Sequence, residues 1–160
     1  MLGLFPTDPP KKFHTRESVK KMSNGIPLTD IDRWDWLIRL RKEAAGKLEA
    51  GAGGVVLTCS ALKEKYRDVI RLASYNDHHV LVHFIYLRVS PELLLARVKA
   101  RRNHYMKDYM VKSQLESLEE PQEEEHDVLS IDGSGSPLEV NKLAYDAAYG
   151  VMMKDLEAKA

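Results

Sequence analysis

The sequence has only one cysteine, Cys59, among its 160 residues, so it cannot form an internal disulfide and offers no cysteine cluster for zinc. It also lacks any apolar run near the roughly 20 residues that a membrane-spanning helix requires. The first ten residues show neither the charged nor the apolar part of a secretory signal. These absences predict a cytoplasmic protein that does not associate with membranes.

A surplus of positive charge is missing as well. The 24 Lys and Arg residues balance 24 Asp and Glu residues, whereas a general nucleic-acid-binding protein needs a basic excess to displace counterions from phosphates. Basic residues nevertheless crowd between Arg97 and Lys112, and acidic residues between Glu116 and Asp132. This unevenness favours a small anionic ligand over a nucleic acid, although a solvated helix beside an acidic loop would give the same pattern.

Hydrophobic spacing and turn residues predict an α/β protein of one domain. Prolines make residues 1–12 irregular, and residues 13–160 form the domain. Thr29 and Asp32 form a capping box for a long helix that ends before Gly51. Further helices are expected over about 16–22, 61–73, 91–102 and 137–154, with strands over Val55–Cys59, Val82–Leu87 and Asp127–Ile131. Such alternation is typical of a parallel sheet with helices on both faces.

Ligands of such sheets bind beyond the carboxyl ends of the strands, which directs attention to the residues that follow Cys59. Ser60 lies where the first strand turns into a helix, so its hydroxyl and nearby backbone N–H groups can meet an anion. Lys63 and Arg67 are four residues apart on one face of the predicted helix, with Tyr66 beside them, an arrangement that can hold a carboxylate or phosphate. A helix cap followed by solvent-facing cations is the alternative interpretation.

A second cationic segment follows the second predicted strand. Arg97 and Arg101 are four residues apart near the end of a helix, and His104 and Tyr105 come directly after them. Arginines on a segment over a crevice are used in phosphoryl transfer to neutralise charge on the transferred group. A basic helix C-terminus that is stabilised by the helix dipole explains the same residues equally well.

Four motifs in consistent order support a single interpretation. They are K-M-x-x-G-x-P-L-x-D-x-D-R-x-x-W-L at Lys21–Leu37, CSALK-x-x-YRD at Cys59–Asp68, R-x-x-x-R-x-x-H-Y at Arg97–Tyr105 and S-Q-x-x-x-L-E-x-P at Ser113–Pro121. Together they resemble the gluconokinases, small-molecule P-loop kinases related to shikimate and nucleoside-monophosphate kinases. The resemblance extends from about Phe13 to Asp132.

The resemblance implies a P-loop kinase fold and a phosphotransferase with an alcohol group as acceptor. The reaction would be the ATP-dependent phosphorylation of D-gluconate to 6-phospho-D-gluconate, in D-gluconate degradation. Mg²⁺ would arrive with the nucleotide, and no side-chain metal site is expected. Since the family is often dimeric, a homodimer is also expected.

The same resemblance assigns residues. The substrate would meet His14, Ser60, Lys63, Arg67 and His104, and catalysis would use Lys63, Arg67 and Arg101. ATP would meet Arg97, Arg101 and the loop from Asp132 to Pro137, which corresponds to the one that borders the adenine. A lid is expected at about residues 101–118.

One part of the family pattern has no match. The family begins with a strand and the phosphate loop G-x-x-x-x-G-K-[ST], and the nine glycines here include no such spacing. The loop supplies backbone donors, a lysine for the phosphates and a hydroxyl for Mg²⁺. Loss of three such bonds would cost about 4–9 kcal/mol, or roughly 10³- to 10⁶-fold in rate. We therefore expect no turnover by these 160 residues. The alternatives are a truncated or non-catalytic gluconate-binding or regulatory form, or a kinase for another small hydroxy acid.

Overall fold

The computed structural model describes residues 13–100 and 108–157. Within these ranges the helices are α1 (Arg16–Ser23), α2 (Asp30–Glu49), α3 (Glu64–Asn76), α4 (Pro91–Ala100), α5 (Asp108–Glu116) and α6 (Pro137–Glu157), and the strands are β1 (Phe84–Arg88) and β2 (Val128–Asp132). Contacts group α1, α2, α3 and α5 into one compact unit and β1, α4, β2 and α6 into a second. A single domain over residues 13–160 stays a prediction.

In the first unit, α2 begins at the capping box that the sequence predicts. The Asp32 N–H donates to Thr29 Oγ1 at 3.4 Å, and the Thr29 N–H donates to Asp32 Oδ2 at 2.9 Å. Apolar and aromatic residues of α2, α3 and α5 form the core of this unit: Trp36, Leu37, Leu40, Tyr66, Val69, Ile70 and Val111. Leu37 is fully buried. Because Tyr66 belongs to the first turn of α3, the core lies against the start of that helix.

Two apolar residues near the start of α2 share the helical spacing of its core residues but lie outside the core. Ile31 is 81% exposed, and Trp34 is partly buried. Trp36, two residues after Trp34, belongs to the buried core. Helical spacing identifies a stripe of residues, but the packing partner decides which part of that stripe is covered.

The second unit contains a two-stranded parallel sheet, as the α/β prediction requires. Pairing runs in register from Phe84 opposite Val128 to Arg88 opposite Asp132. Helix α4 begins at Pro91, where the predicted helix starts, and the Leu93 N–H donates to Ser90 Oγ at 3.3 Å, so Ser90 caps this helix. Helix α6 packs on both strands.

The predicted strand at Val55–Cys59 does not form. Only Val55 makes an isolated bridge, Val56 is 56% exposed, and Cys59 is also exposed. A strand needs a hydrogen-bonded neighbour along its length, and an apolar run predicts burial without supplying that neighbour. The helix that follows also starts three residues later than expected, at Glu64.

Among the helices of the described residues, none is both long enough and apolar enough to cross a membrane.

Replacement of Gly133 by alanine is expected to destabilise the second unit by about 1–3 kcal/mol. The Gly133 N–H donates to the Arg88 carbonyl at 2.8 Å, so the backbone segments that follow β1 and β2 run close together. A Cβ at Gly133 would lie 2.6 Å from Val89 Cγ2 and 3.1 Å from the Arg88 carbonyl oxygen. Chemical denaturation measures the change in free energy of unfolding.

Gly46 provides the matched control, because a Cβ built there meets no atom within 4 Å. Gly46 lies inside α2, so Gly46→Ala is expected to raise stability by about 0.5–1 kcal/mol. Equal stability of Gly133→Ala and the unmodified protein would contradict the predicted close contact.

Candidate functional site

Donors from the start of α3 converge on one carboxylate, that of Asp30 at the first position of α2. Lys63 Nζ donates to Asp30 Oδ1 at 3.0 Å, and Lys65 Nζ and the Tyr66 hydroxyl donate to the same carboxylate. These hydrogen bonds, led by the one from Lys65, hold the pKa of Asp30 far below its ordinary value. We call Asp30, Arg33, Lys63, Lys65 and Tyr66 the Asp30 cluster.

Tyr66 forms the floor of the Asp30 cluster and is only 1% exposed. The Arg33 guanidinium lies 5.7 Å from the centre of its ring, and Trp34 meets the ring edge-on at 5.7 Å. Burial and the hydrogen bond to Asp30 raise the pKa of Tyr66, so the phenol stays a neutral donor. Lys63 and Lys65 contact the one carboxylate of the cluster, and Arg33 lies over the Tyr66 ring, so three positive charges face one negative charge within the cluster. This surplus favours an anion.

Arg67, which the sequence places beside Lys63, occupies a different environment. Its side chain is buried, with 3% of the residue exposed, and Nη1 donates to the carbonyls of Ala61 at 3.2 Å and Glu119 at 3.1 Å. Lys63 is the N-cap of α3, with extended backbone, rather than a residue within the helix. The two cations therefore do not project from one helical face, and a substrate contact by Arg67 stays a prediction.

His14 lies just before α1, against the Trp36 ring at 4.9 Å between ring centres. The buried atoms His14 Nδ1 and Trp36 Nε1 find no hydrogen-bond partner among the described residues. Burial, and then the nearby charge of Arg33, lower the pKa of His14. A neutral imidazole with an unpaired nitrogen can accept or donate one hydrogen bond, which suits a hydroxyl group.

Of the remaining predicted substrate residues, Ser60 belongs to the described chain and His104 does not. Ser60 is exposed in the irregular segment before α3, three residues ahead of the helix cap, so it does not cap the helix. Arg101 and His104 lie outside the described residues, as do residues 101–107 of the predicted lid. The described part of that segment consists of helix α5 and the two residues after it.

In the second unit, the loop after β2 is organised by Arg97 of α4. The Arg97 guanidinium donates to the carbonyls of Gly133 at 2.6 Å, Ser134 at 2.7 Å and Gly135 at 2.7 Å. One side chain therefore fixes three consecutive peptide groups. An approach of Arg97 to ATP phosphates stays a prediction, because in this structure its donors hold the loop.

Asp132 ends β2 and starts this loop. Its Oδ1 accepts from the Ser134 N–H at 2.8 Å, and hydrogen bonds from Ser134, with the charge of Arg97, lower its pKa. Pro137 is the first residue of α6, and a reciprocal pair of hydrogen bonds between Ser136 and Glu139 caps that helix. The loop is thus rigidly held at both ends.

An open cleft of about 400 Å³ lies at the carboxyl ends of β1 and β2. It is lined by Arg88, Ser90, Ser130, Ile131, Asp132 and Ser134. This is the position that the general rule for open parallel sheets gives to a ligand. Of the predicted nucleotide residues in the described chain, Asp132 lines the cleft, and Arg97 shapes its wall through the loop.

Sequence reasoning did not assign roles to Asp30, Lys65 or Glu119. Each stands within or beside a quoted motif, but nothing in the local pattern shows that Asp30 and Tyr66 meet across 36 positions of the chain. The available signal for this contact was that one quoted motif, D-x-D-R, carries carboxylates and another, CSALK, carries a cation.

A second carboxylate of α2 gives a pH-dependent prediction. Lys21 Nζ of α1 lies 2.6 and 2.9 Å from the two oxygens of Asp32, and this bond, with those from Thr29, lowers the pKa of Asp32 to about 2. The stabilisation is complete above the ordinary carboxyl pKa of about 3.9 and is lost as the pH falls through 2. We therefore expect about 1–2 kcal/mol of stability to disappear between about pH 4 and pH 2.

Asp32→Asn should remove this acid-dependent part of the free energy of unfolding. Asp35→Asn, at an exposed position of the same helix, is the matched control. Chemical denaturation at several pH values checks both variants. An acid dependence that persists unchanged in Asp32→Asn would contradict the assignment.

Comparison with known proteins adds independent information. The probable gluconokinase of Schizosaccharomyces pombe is 47% identical over 120 residues, covering 74% of this chain and 62% of that protein. The thermosensitive gluconokinase of Escherichia coli is 36% identical over 147 residues, covering 92% of this chain and 75% of that protein. The chain thus spans less than two thirds of the first relative and three quarters of the second. No protein-family model matches it.

A solved structure shows the same fold. The crystal structure of a gluconokinase from Sinorhizobium meliloti matches with a TM-score of 0.77 and 32% identity, over 94% of this chain and 80% of that chain. The α/β fold with a parallel sheet is therefore shared with that kinase.

Proposed function

This chain belongs to the gluconokinase family, and on that premise we propose that it binds D-gluconate for ATP-dependent phosphorylation to 6-phospho-D-gluconate. The observation that carries the proposal is the Asp30 cluster, in which Lys63 is fixed beside a surplus of positive charge. Gluconate combines a carboxylate with a chain of hydroxyl groups. A site for it requires cations and neutral hydrogen-bonding groups together.

The described residues of the first unit offer both kinds of group. An ammonium has three donors, and a bond from Lys63 to Asp30 leaves two for a substrate carboxylate or hydroxyl. His14 Nδ1 is neutral and finds no partner among the described residues, but it is buried beside Trp36, so a hydroxyl would reach it only after that contact opens. We assign Lys63 to the sugar acid, with His14, Ser60 and the predicted residues Arg67 and His104 as further contacts.

The phosphoryl donor in this proposal is ATP. The cleft beside Asp132 and the loop to Pro137 offer a rigid, partly polar wall for the adenine end of the nucleotide. Mg²⁺ would arrive with ATP and neutralise phosphate charge. Arg97 and Arg101 are the arginines that we assign to the phosphates. The proposal also includes a cytoplasmic location and a homodimer. Analytical ultracentrifugation checks the homodimer.

Thermal protection by gluconate is the first test. Ligand at a hundredfold excess over Kd stabilises the folded protein by about 2.7 kcal/mol, which raises Tm by several degrees. Sorbitol, which has the hydroxyl groups but no carboxylate, is the matched control and should give no comparable shift. The absence of a gluconate shift would contradict the proposal.

Formation of 6-phosphogluconate from gluconate and Mg-ATP, at high protein concentration, tests the chemistry. Turnover would support the full reaction and would show that a group other than G-x-x-x-x-G-K holds the phosphates. Protection without turnover is the result that the missing G-x-x-x-x-G-K loop leads us to expect, and it would restrict the function of these 160 residues to gluconate binding.

A further inference from the structure

Helix α3 takes its N-terminal cap from a distant part of the chain. Its own N-cap residue is Lys63, whose ammonium cannot accept a hydrogen bond and which makes no side-chain cap. Instead, the Glu64 N–H donates to Glu119 Oε2 at 2.8 Å, across 55 positions of the chain. A carboxylate at this place satisfies a free helical N–H and interacts favourably with the helix dipole.

The backbone of Glu119 contacts the same segment on both sides of Lys63. Its N–H donates to the Leu62 carbonyl at 2.8 Å, and its carbonyl accepts from the buried Arg67 guanidinium at 3.1 Å. Glu119 therefore bonds to the residue before Lys63, to the residue after it, and to the arginine one turn further along. Three hydrogen bonds from one residue fix the segment that carries Lys63.

Glu119 is also connected closely to α5. That helix ends at Glu116, and Ser117 continues its hydrogen bonding, with the N–H and Oγ both donating to the Ser113 carbonyl at 3.2 and 2.8 Å. Only Leu118 separates this capped end from Glu119. A displacement of α5 would therefore be transmitted to residues 62–64 through very few rotatable bonds.

We propose that Glu119 is a positioning residue, which keeps Lys63 at the Asp30 carboxylate and couples the placement of α5 to that of Lys63. Its relevance to substrate rests on the proposed function, in which Lys63 contacts gluconate. The coupling itself is a property of the ligand-free chain, so it can be tested without gluconate.

Hydrogen exchange and lysine modification of the full chain test the proposal. In Glu119→Ala, loss of the cap should speed exchange of the Glu64 amide about fivefold, with little change at Ile70 in the middle of α3. Modification of Lys63 by an amine-reactive reagent, followed by mass spectrometry, should accelerate to a similar extent relative to exposed Lys42. Glu119→Gln keeps a carbonyl acceptor, so both rates should stay close to those of the unmodified protein.

Glu123→Gln is the matched control, because it removes the same charge from an exposed position of the same segment. It should leave both rates unchanged. Uniformly faster exchange along α3, or an unchanged rate for Lys63, would show that Glu119 only stabilises the fold and would overturn the proposal.

A gluconate arm separates this inference from the proposed function. Gluconate should slow modification of Lys63 in the unmodified chain, and Glu119→Ala should require more gluconate for the same protection. If gluconate has no effect on the unmodified chain, the proposed function fails, whereas the ligand-free rates still decide the role of Glu119. If protection is equal in both proteins, the positioning role is wrong.

Discussion

Replacement of Lys63 by alanine is expected to weaken gluconate binding by about 10- to 100-fold. A hydrogen bond to a charged group contributes about 1.5–3 kcal/mol, and the substrate carboxylate would lose its ammonium partner. Asp30 keeps Lys65 and Tyr66 as donors, so the carboxylate is not left without a partner. The variant should therefore remain folded while its thermal protection by gluconate is strongly reduced at the same gluconate concentration.

Calorimetric titration with gluconate measures this loss directly, and chemical denaturation verifies the fold. Lys42→Ala, at an exposed position on α2, removes the same charge away from the Asp30 cluster and should bind gluconate normally. Unchanged affinity in Lys63→Ala would remove Lys63 from the substrate site. The positive charges of the Asp30 cluster would then have to be assigned a role other than gluconate binding.

Replacement of Arg67 by methionine is expected to destabilise the first unit by about 2–4 kcal/mol. Methionine preserves the buried stem of the side chain but removes the guanidinium. The part-buried carbonyls of Ala61 and Glu119 would then lose the charged donor that the buried Arg67 side chain supplies. This loss is costly because water replaces the missing donor less fully in the folded protein than in the unfolded chain.

Arg39→Met is the appropriate control, since Arg39 is exposed on α2 and the same atoms are removed. It should change the free energy of unfolding by less than about 0.5 kcal/mol. Urea denaturation of both variants measures the difference. A cost below about 1 kcal/mol for Arg67→Met would show that the guanidinium does not brace this segment, and would favour a direct role at the ligand.

Local features of the fold were predictable from the sequence because their causes lie within a few residues. The capping box at Thr29 and Asp32 and the helix start at Pro91 depend on side chains that reach backbone groups three positions away. Parallel pairing of the two strands followed from the alternation of helices and strands. The strand at Val55–Cys59 failed because strand formation depends on a neighbour that is distant in sequence.

The candidate site was predictable only in part. Family motifs directed attention to Lys63 and Arg67, and their four-residue spacing suggested a shared helical face. That interpretation assumed a helix that already includes Lys63, whereas α3 starts one residue later. Asp30 and Glu119 were not assigned, because their contacts with the start of α3 span 36 and 55 positions. Tertiary contacts of this length have no periodic signature.

The three carbonyls held by Arg97 have a consequence for how this part of the molecule can diverge. Lysine has one nitrogen and could not reproduce the planar fork that reaches Gly133, Ser134 and Gly135 together. Insertion or deletion within the loop would move at least one carbonyl out of register with that fork. Among descendants of a common ancestor, an arginine at this helix position and a loop of this length should therefore be inherited as a pair, and a change in either should accompany a change in the other.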